Sequence, residues 1–178
     1  MDALNKLMTT PVTAELEVDW ESAYKELLPK IHHYFCLRIG DRLEAEDLTA
    51  VTFERAWRNR NRFRNDLGTF SNWLFGIARH VAISHFRERK PTLPLEDYNR
   101  QDAPRPTEES ATANEEFKKL ASRLALLPER EREIFSLKYG AQFTNRAIAE
   151  VTNISESNVG TILHRMVKQI RKDLEVEP

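Results

Sequence analysis

Apolar side chains recur at intervals of three and four residues along nearly the whole chain, and no segment shows the regular alternation of a half-buried strand. This spacing predicts helices over about 20–39, 44–60, 69–88, 114–126, 129–139, 145–151 and 156–174. The expected fold class is therefore all-α.

Helix breakers and capping residues mark the ends of these helices. Pro29 is expected to interrupt the first helix, and Gly40 is expected to end it. Thr69, Thr144 and Ser155 are preferred N-caps. Pro128 suits the start of a helix, and Gly140 suits a helix stop.

Residues 91–113 differ from the rest of the chain, because they hold four prolines among Asp, Glu, Ser and Thr and show no helical period. We interpret them as an extended acidic linker between two small helical domains. The N-terminal domain then covers residues 19–90, and the C-terminal domain covers residues 114–178. Residues 1–18 form a short acidic leader to which the pattern assigns no role.

The net charge of −1 conceals a strong asymmetry along the chain. Residues 55–90 carry nine basic and two acidic side chains, whereas residues 91–116 carry two basic and seven acidic ones. Such blocks indicate a middle segment that binds a polyanion and is flanked by acidic segments.

The basic segment is also rich in aromatic rings, since residues 62–89 include five arginines and five aromatic residues. Arginine neutralises phosphates, and aromatic faces stack on unpaired bases. Taken alone, the segment equally fits an amphipathic helix with a solvated basic face. The stripe of this helix that is expected to be buried consists of Phe70, Trp73, Leu74, Ile77, Ala78 and Val81.

A second stripe of the same helix lies away from that core and consists of Asn72, Gly76, Arg79, His80, Ile83 and Arg87. Gly76 has no side chain, so another backbone is expected to approach the helix closely there. The preceding loop adds Arg62, Phe63, Arg64 and Asn65. Together these residues predict a basic surface suited to a single DNA strand whose bases are turned outward.

Residues 144–172 have the pattern of a helix-turn-helix, with the second helix as the reader of the major groove. Ala149 is small where two helices would cross, and Asn153 tolerates the left-handed backbone that the turn requires. An ordinary helical hairpin is the alternative. The candidate duplex-binding residues are Thr144, Ser155, Glu156, Ser157, Asn158, Thr161, His164, Arg165 and Lys168.

Cys36 is the single cysteine of the chain, so no internal disulfide forms. The sequence His32-His33-x-x-Cys36 suggests a metal site, but it lies on an apolar helix without a second ligand pair. A buried structural cysteine is expected instead, with no metal and no cofactor. No apolar run reaches the roughly 20 residues that cross a bilayer, so we expect a cytoplasmic protein without membrane insertion.

Three further motifs precede the helix-turn-helix. They are Glu46–Trp57, the segment Phe63–Arg79 that ends in Trp-Leu-Phe-Gly-Ile-Ala-Arg, and Leu127–Phe135 with its Leu-Pro-Glu-Arg start. In their order and spacing, over about residues 20–174, these motifs resemble the bacterial sigma factors of the extracytoplasmic-function (ECF) type.

This resemblance implies a non-enzymatic subunit that directs core RNA polymerase to promoters. The helix before the basic segment would dock on the clamp helices of the polymerase large subunit through Asp47, Leu48, Thr49, Val51, Thr52, Phe53, Arg55, Ala56 and Trp57. The basic surface, together with Trp73, would melt and read the −10 element of promoter DNA. The helix-turn-helix would read the −35 element, and the polymerase flap and an anti-sigma factor would be further partners.

Two other classes of function are weighed against this one. A stand-alone helix-turn-helix regulator would need a sensor or dimerisation domain, and such a domain has no use for arginines interleaved with aromatic rings. An enzyme acting on nucleic acid is disfavoured, because the carboxylates form no metal-binding motif and no Gly-rich phosphate loop is present.

Overall fold

The computed structural model describes residues 18–88 and 108–175, which fold as helices and short connecting turns. The seven α-helices are α1 Trp20–Ile39, α2 Arg42–Arg58, α3 Phe70–Glu88, α4 Glu108–Ala125, α5 Glu129–Phe135, α6 Asn145–Thr152 and α7 Glu156–Glu175. This confirms the all-α prediction. The predicted leader and most of the predicted linker lie outside the described residues.

The helix ends follow local signals. Thr69, Thr144 and Ser155 each accept a backbone N–H from the residue three positions further on, at 3.1–3.2 Å. Gly40 ends α1 with a φ of 86°, a left-handed conformation that suits glycine. The predicted interruption at Pro29 is wrong, because α1 runs unbroken through that residue. Pro29 is exposed, so water can satisfy the carbonyl that loses its N–H partner.

The linker prediction is wrong at its C-terminal end, because α4 begins at Glu108 rather than at 114. Residues 108–113 contain neither proline nor glycine, so nothing in them stops a helix.

The N-terminal half, residues 18–88, is a three-helix bundle of α1, α2 and α3. Its core contains Leu27, Ile31, Tyr34, Phe35, Leu74, Phe75, Ala78 and Val81. From α2 the buried side chains are Ala45, Thr49, Thr52 and Ala56, whereas Leu48 and Val51 are only half-buried. Small side chains on this face let α2 lie close to α1 and α3.

In the C-terminal half, residues 108–175, α5, α6 and α7 pack on one another, whereas α4 packs mainly on α1. This half contributes a second set of buried apolar side chains. These are Leu124, Leu127, Ile134, Leu137, Ile148, Val159, Leu163, Met166 and Ile170. A π-helical turn at Ser136–Gly140 follows α5. It lies where the sequence pattern predicts a continuous helix to 139.

The two halves pack directly on each other, and one cluster of buried side chains runs through both. A side-chain atom on Gly140 would lie 2.8 Å from the His33 carbonyl oxygen and from the Tyr34 backbone. The helical run ends at Gly140, as predicted. Gly140 also serves a close approach between the π-helical turn and α1, and the positive φ nearby belongs to Gln142.

Candidate nucleic-acid interface

Nine residues of α2 are predicted to contact a partner, but they do not all lie on an exposed face of the helix. Thr49 and Thr52 are buried, and their hydroxyls donate to the carbonyls of Ala45 and Leu48 at 2.6 and 2.8 Å. Ala56 is also fully buried. These three predicted contact residues therefore belong to the core and not to an exposed face, because α2 turns this side toward α1 and α3.

The other six predicted residues of α2 are accessible. Asp47, Arg55 and Trp57 are exposed, and Leu48, Val51 and Phe53 are half-buried. They form the side of α2 that is open to a partner, which we call the α2 face.

Aromatic rings of α1 extend the α2 face, and the sequence analysis did not identify them. Trp20 packs edge-on against Trp57 at 5.2 Å between ring centroids, and Tyr24 packs against Phe53 at 4.7 Å. Tyr24 and Trp57 remain about half exposed. The spacing of Trp20 and Tyr24, one helical turn apart, is a signal that could have identified them.

The loop between α2 and α3 holds the first part of the predicted surface for a single DNA strand. This surface consists of Arg62–Asn65 and the polar stripe of α3, and we call it the strand surface. Arg64 forms a two-pronged ion pair with Asp66, with nitrogen–oxygen distances of 2.6 and 3.1 Å. The hydrogen bond from Arg64 holds the pKa of Asp66 below its ordinary value. This pair fixes the loop around Asn65.

Phe63 packs against the first turn of α3. Its ring lies perpendicular to that of Phe70 at 5.3 Å and contacts Trp73 at 5.5 Å, and the side chain is half-buried. Phe63 thus anchors the loop on α3. Arg62, Arg64 and Asn65 are exposed around it.

On α3, the outward stripe is only partly open. His80, Ile83 and Arg87 are exposed, whereas Asn72, Gly76 and Arg79 are half-buried. The backbone predicted to approach Gly76 is not found among the described residues, since a side-chain atom there would meet nothing within 4 Å. Phe75 and Ala82 join the buried stripe of this helix.

The C-terminal half reaches onto this surface. The Arg79 guanidinium donates to the Glu133 carboxylate at 2.7 Å and to the Val151 carbonyl. The Asn72 amide lies 3.4 Å from the Glu150 carboxylate. A cleft of about 490 Å³ lies where α6 meets the α2–α3 loop and the start of α3. Its lining residues are Arg62, Phe63, Arg64, Leu67, Gly68, Thr69, Asn72, Trp73, Glu150 and Val151.

Helices α6 and α7 form the predicted helix-turn-helix. Asn153 adopts a left-handed conformation, with φ 55° and ψ 48°, and its N–H donates to the Ala149 carbonyl. In α7, Val159, Leu163, Met166 and Ile170 are buried. All nine candidate duplex-binding residues are exposed: Thr144, Ser155, Glu156, Ser157, Asn158, Thr161, His164, Arg165 and Lys168.

Some of these exposed groups already have partners. The Arg165 guanidinium forms an ion pair with Glu131 of α5, and the Thr161 hydroxyl donates to the Ser157 carbonyl at 3.0 Å. The oxygens of Thr144 and Ser155 accept the capping N–H groups. Asn158, His164 and Lys168 are also exposed, and His164 and Lys168 lie one turn apart on the same face of α7.

Cys36 is buried, as the sequence predicts, with its sulfur 3.6 Å from His32 Nε2. Burial raises the pKa of its thiol. Among the described residues, no three His, Cys, Asp or Glu side chains come together in a way that would hold a metal ion. Within the same residues, no helix combines the length and the apolar character of a membrane span.

Comparison with known proteins places these features in one family. Residues 23–92 match Sigma-70 region 2, and residues 117–170 match Sigma-70 region 4. The ECF RNA polymerase sigma factor SigW of Bacillus subtilis is 30% identical over 157 residues, which cover 82% of this chain and 83% of SigW. SigF of Caulobacter vibrioides is 32% identical over 162 residues, which cover 84% of each chain.

Solved structures share the fold. The sigma factor RpoE in its complex with the anti-sigma factor NepR from Bartonella quintana aligns with a TM-score of 0.70 at 19% identity, over 90% of this chain and 99% of that one. CnrH, in its complex with the cytosolic domain of CnrY, aligns with a TM-score of 0.61 at 20% identity, over 88% and 86% of the two chains.

A helical bundle matching region 2 and a helix-turn-helix domain matching region 4, in this order, define a sigma factor of the sigma-70 class. The chain belongs to the ECF RNA polymerase sigma factors, which direct the initiation of transcription at promoters. The match to region 2 does not favour a stand-alone helix-turn-helix regulator, because such a regulator requires no region 2.

Proposed function

We propose that the two matched regions of this sigma factor have separate binding functions. The segment from α1 to α3 binds core polymerase and opens the −10 element, and the segment from α4 to α7 binds the −35 element as duplex. The residues between Glu88 and Glu108 link the two segments. The observation that carries this proposal is that one chain presents both an arginine-rich loop beside aromatic rings and a helix-turn-helix with an exposed polar face.

The α2 face is the proposed docking site for the clamp helices of the polymerase large subunit. Exposed Trp57 and Tyr24 offer large apolar areas, and aromatic residues of this kind dominate the binding energy of many interfaces. Asp47 and Arg55 supply charges at the edge of the face. The buried side chains of Thr49, Thr52 and Ala56 pack α2 against α1 and α3. They make no direct contact with the polymerase in this proposal.

The strand surface is the proposed site of −10 opening. Unstacking a base step costs a few kcal/mol, and stacking on protein groups returns about 1–3 kcal/mol per base. Because these terms nearly cancel, contacts to particular bases decide whether a promoter opens. The cleft beside Trp73 and Asn72 is the proposed receptacle for one extruded base.

The exposed face of α7 is the proposed reader of the −35 element. Asn158 suits a bidentate contact with an adenine edge, and Arg165 and Lys168 suit phosphates. This half is also the proposed contact of the polymerase flap.

An anti-sigma factor is the proposed regulatory partner. The structurally similar sigma factor RpoE was solved in complex with an anti-sigma factor, which supports the same kind of partner here. The structurally similar CnrH was also solved in a complex, with the cytosolic domain of CnrY. We further propose that the protein is cytoplasmic and has no catalytic activity of its own.

Run-off transcription with purified core polymerase on a library of genomic fragments tests the proposal. We expect defined start sites with a shared pair of upstream elements. Replacing Phe63 and Asn65 together with Ala should abolish open complexes, because the loop loses both its anchor and its central polar group. The same variant should bind core polymerase as the wild type does. Transcription that is unchanged in this variant would contradict the proposed opening site.

A further inference from the structure

Trp20 lies where the α2 face and the start of α3 meet. It is the first residue of α1, and the Asp19 side chain fixes this turn by accepting the Ser22 N–H at 3.2 Å. The indole is half-buried and packs against the hydrophobic core. The cap and the core together restrict the position of this ring.

Rings from two other helices contact Trp20. The ring of Trp57, in the α2 face, lies 5.2 Å from it with 85° between the planes. The ring of Phe70, the first residue of α3, lies 5.1 Å from it with 83° between the planes. This edge-to-face arrangement is favoured because the positive edge of one ring meets the negative face of the other. Trp20 therefore joins the α2 face to the start of α3.

Phe70 in turn supports two rings that line the proposed base cleft. Its ring lies 5.3 Å from that of Phe63 in the loop and 5.4 Å from that of Trp73. Phe63 and Trp73 also contact each other at 5.5 Å, and both line the cleft beside the loop. A displacement of Phe70 would leave these two rings without support on one side.

The first turn of α1 also borders the loop directly. A groove of about 420 Å³ is lined by Asp19 and Ser22 of this turn, by Asn65 of the loop and by Phe70. The loop and α1 thus meet on the same ring. A binding site is only as precise as the side chains that support it, so a change at this junction should weaken the capture of a base.

We propose that Trp20 is a positioning residue for the opening of the −10 element. It holds Phe70 in place, and Phe70 holds Phe63 and Trp73 around the extruded base. This inference rests on the proposed function, because it requires the cleft to receive a base. Since the same indole supports Trp57, its loss should weaken both polymerase docking and opening. The loss of opening should remain when all of the sigma factor is bound to polymerase.

The test compares Trp20→Leu with Phe117→Leu in the full chain. Both variants lose one half-buried ring, but Phe117 belongs to α4 and lies outside the α2 face and the strand surface. Fluorescence anisotropy of the labelled sigma factor gives the concentration of core polymerase that saturates each variant. Permanganate reactivity of unpaired thymines at a mapped promoter then measures opening by the saturated holoenzyme. We expect Trp20→Leu to lower the equilibrium constant for opening about three- to tenfold and Phe117→Leu to leave it near the wild-type value.

A double-mutant cycle tests the route through Phe70. If Trp20 acts through Phe70, adding Trp20→Leu to Phe70→Leu should lower opening by less than about twofold beyond Phe70→Leu alone. Trp20→Phe keeps a smaller ring at this position and should lower opening only about twofold. This variant keeps the test decisive if circular dichroism shows that Trp20→Leu loses helical content.

The outcomes separate the positioning role from the proposed function. Wild-type opening by the saturated holoenzyme of Trp20→Leu, or of Trp20→Phe where Trp20→Leu does not fold, overturns the positioning role, as does an additive loss in the cycle. In that case the proposed function stands if the joint replacement of Phe63 and Asn65 with Ala still abolishes open complexes. If that replacement leaves transcription unchanged, the cleft receives no base, and both proposals fail.

Discussion

The ring of Phe143 packs edge-on against the ring of Phe75, with 4.6 Å between the centroids and 62° between the planes. Phe75 belongs to the Sigma-70 region 2 match and Phe143 to the region 4 match. Both side chains are buried. The two regions therefore share a continuous core, which their separate functions do not require.

Shortening Phe143 should destabilise the protein strongly. We expect Phe143→Ala to lower the free energy of unfolding by about 3 kcal/mol, because it removes a buried ring and leaves a cavity. Urea unfolding followed by circular dichroism measures this change. The control is Tyr139→Ala, which removes a ring that is 49% exposed and should cost less than about 1 kcal/mol. Equal losses in both variants would show that the Phe75 contact adds nothing.

Adding one methyl group at Gly140 should loosen the contact between the halves. Gly140→Ala places a carbon 2.8 Å from backbone atoms of α1, which cannot move aside as a side chain can. We expect a loss of about 1–3 kcal/mol and a larger radius of gyration in small-angle scattering. Gly160→Ala is the control, because its nearest neighbour would lie at an ordinary 3.7 Å. A radius of gyration unchanged by Gly140→Ala would contradict the close approach.

The helices were predictable because their signals are local. Thr69, Thr144 and Ser155 cap helices as predicted, and Asn153 takes the left-handed conformation of the turn. The role of Gly140 depends on what lies opposite it in space. A helix pattern carries no information about that neighbour, so the helix stop at Gly140 was predictable and the close approach to α1 was not.

The Arg165–Glu131 ion pair leads to a prediction on −35 binding. Arg165→Ala should weaken the binding of holoenzyme to a mapped promoter and make the logarithmic salt dependence shallower by about one unit. Glu131→Gln should strengthen binding at low salt, because it frees the guanidinium. Filter binding at several salt concentrations measures both effects.

Glu116→Gln is the charge control for Glu131→Gln and should leave −35 binding near the wild-type value. A salt slope for Arg165→Ala equal to that of the wild type would exclude Arg165 as a phosphate contact.

Tyr34 predicts how stability depends on alkaline pH. Burial raises the pKa of its hydroxyl above the ordinary value of 10.0. The folded state therefore favours the neutral phenol, and its stabilising contribution is complete below pH 10 and is lost as the pH rises toward the folded pKa. Between about pH 9 and about pH 11, the wild type should lose about 1 kcal/mol more than Tyr34→Phe.

Urea unfolding at both pH values checks this expectation. Tyr24→Phe, at a position that is 47% exposed, should keep the wild-type dependence on pH. If Tyr34→Phe also keeps it, Tyr34 ionises in the folded protein without penalty.

On α2 the candidate site was predicted as a segment and not as a face. The resemblance to sigma factors indicated all of 47–57 as a docking helix, yet Thr49, Thr52 and Ala56 are buried because α2 lies against α1 and α3. Likewise Arg79 was predicted to lie on an outward stripe of α3, but its side chain is half-buried. Its pairing with Glu133, 54 positions away, depends on how the halves pack.

Because Phe75 and Phe143 lie on one polypeptide, their contact forms in a first-order step, and dilution leaves the paired fraction unchanged. A macromolecule that binds only one region leaves the other region tethered nearby, where it can rapidly re-form the contact between Phe75 and Phe143. A macromolecule that binds both regions prevents the contact from re-forming and gains avidity from its second attachment. Large bivalent partners are thus favoured over small ligands in keeping this chain extended.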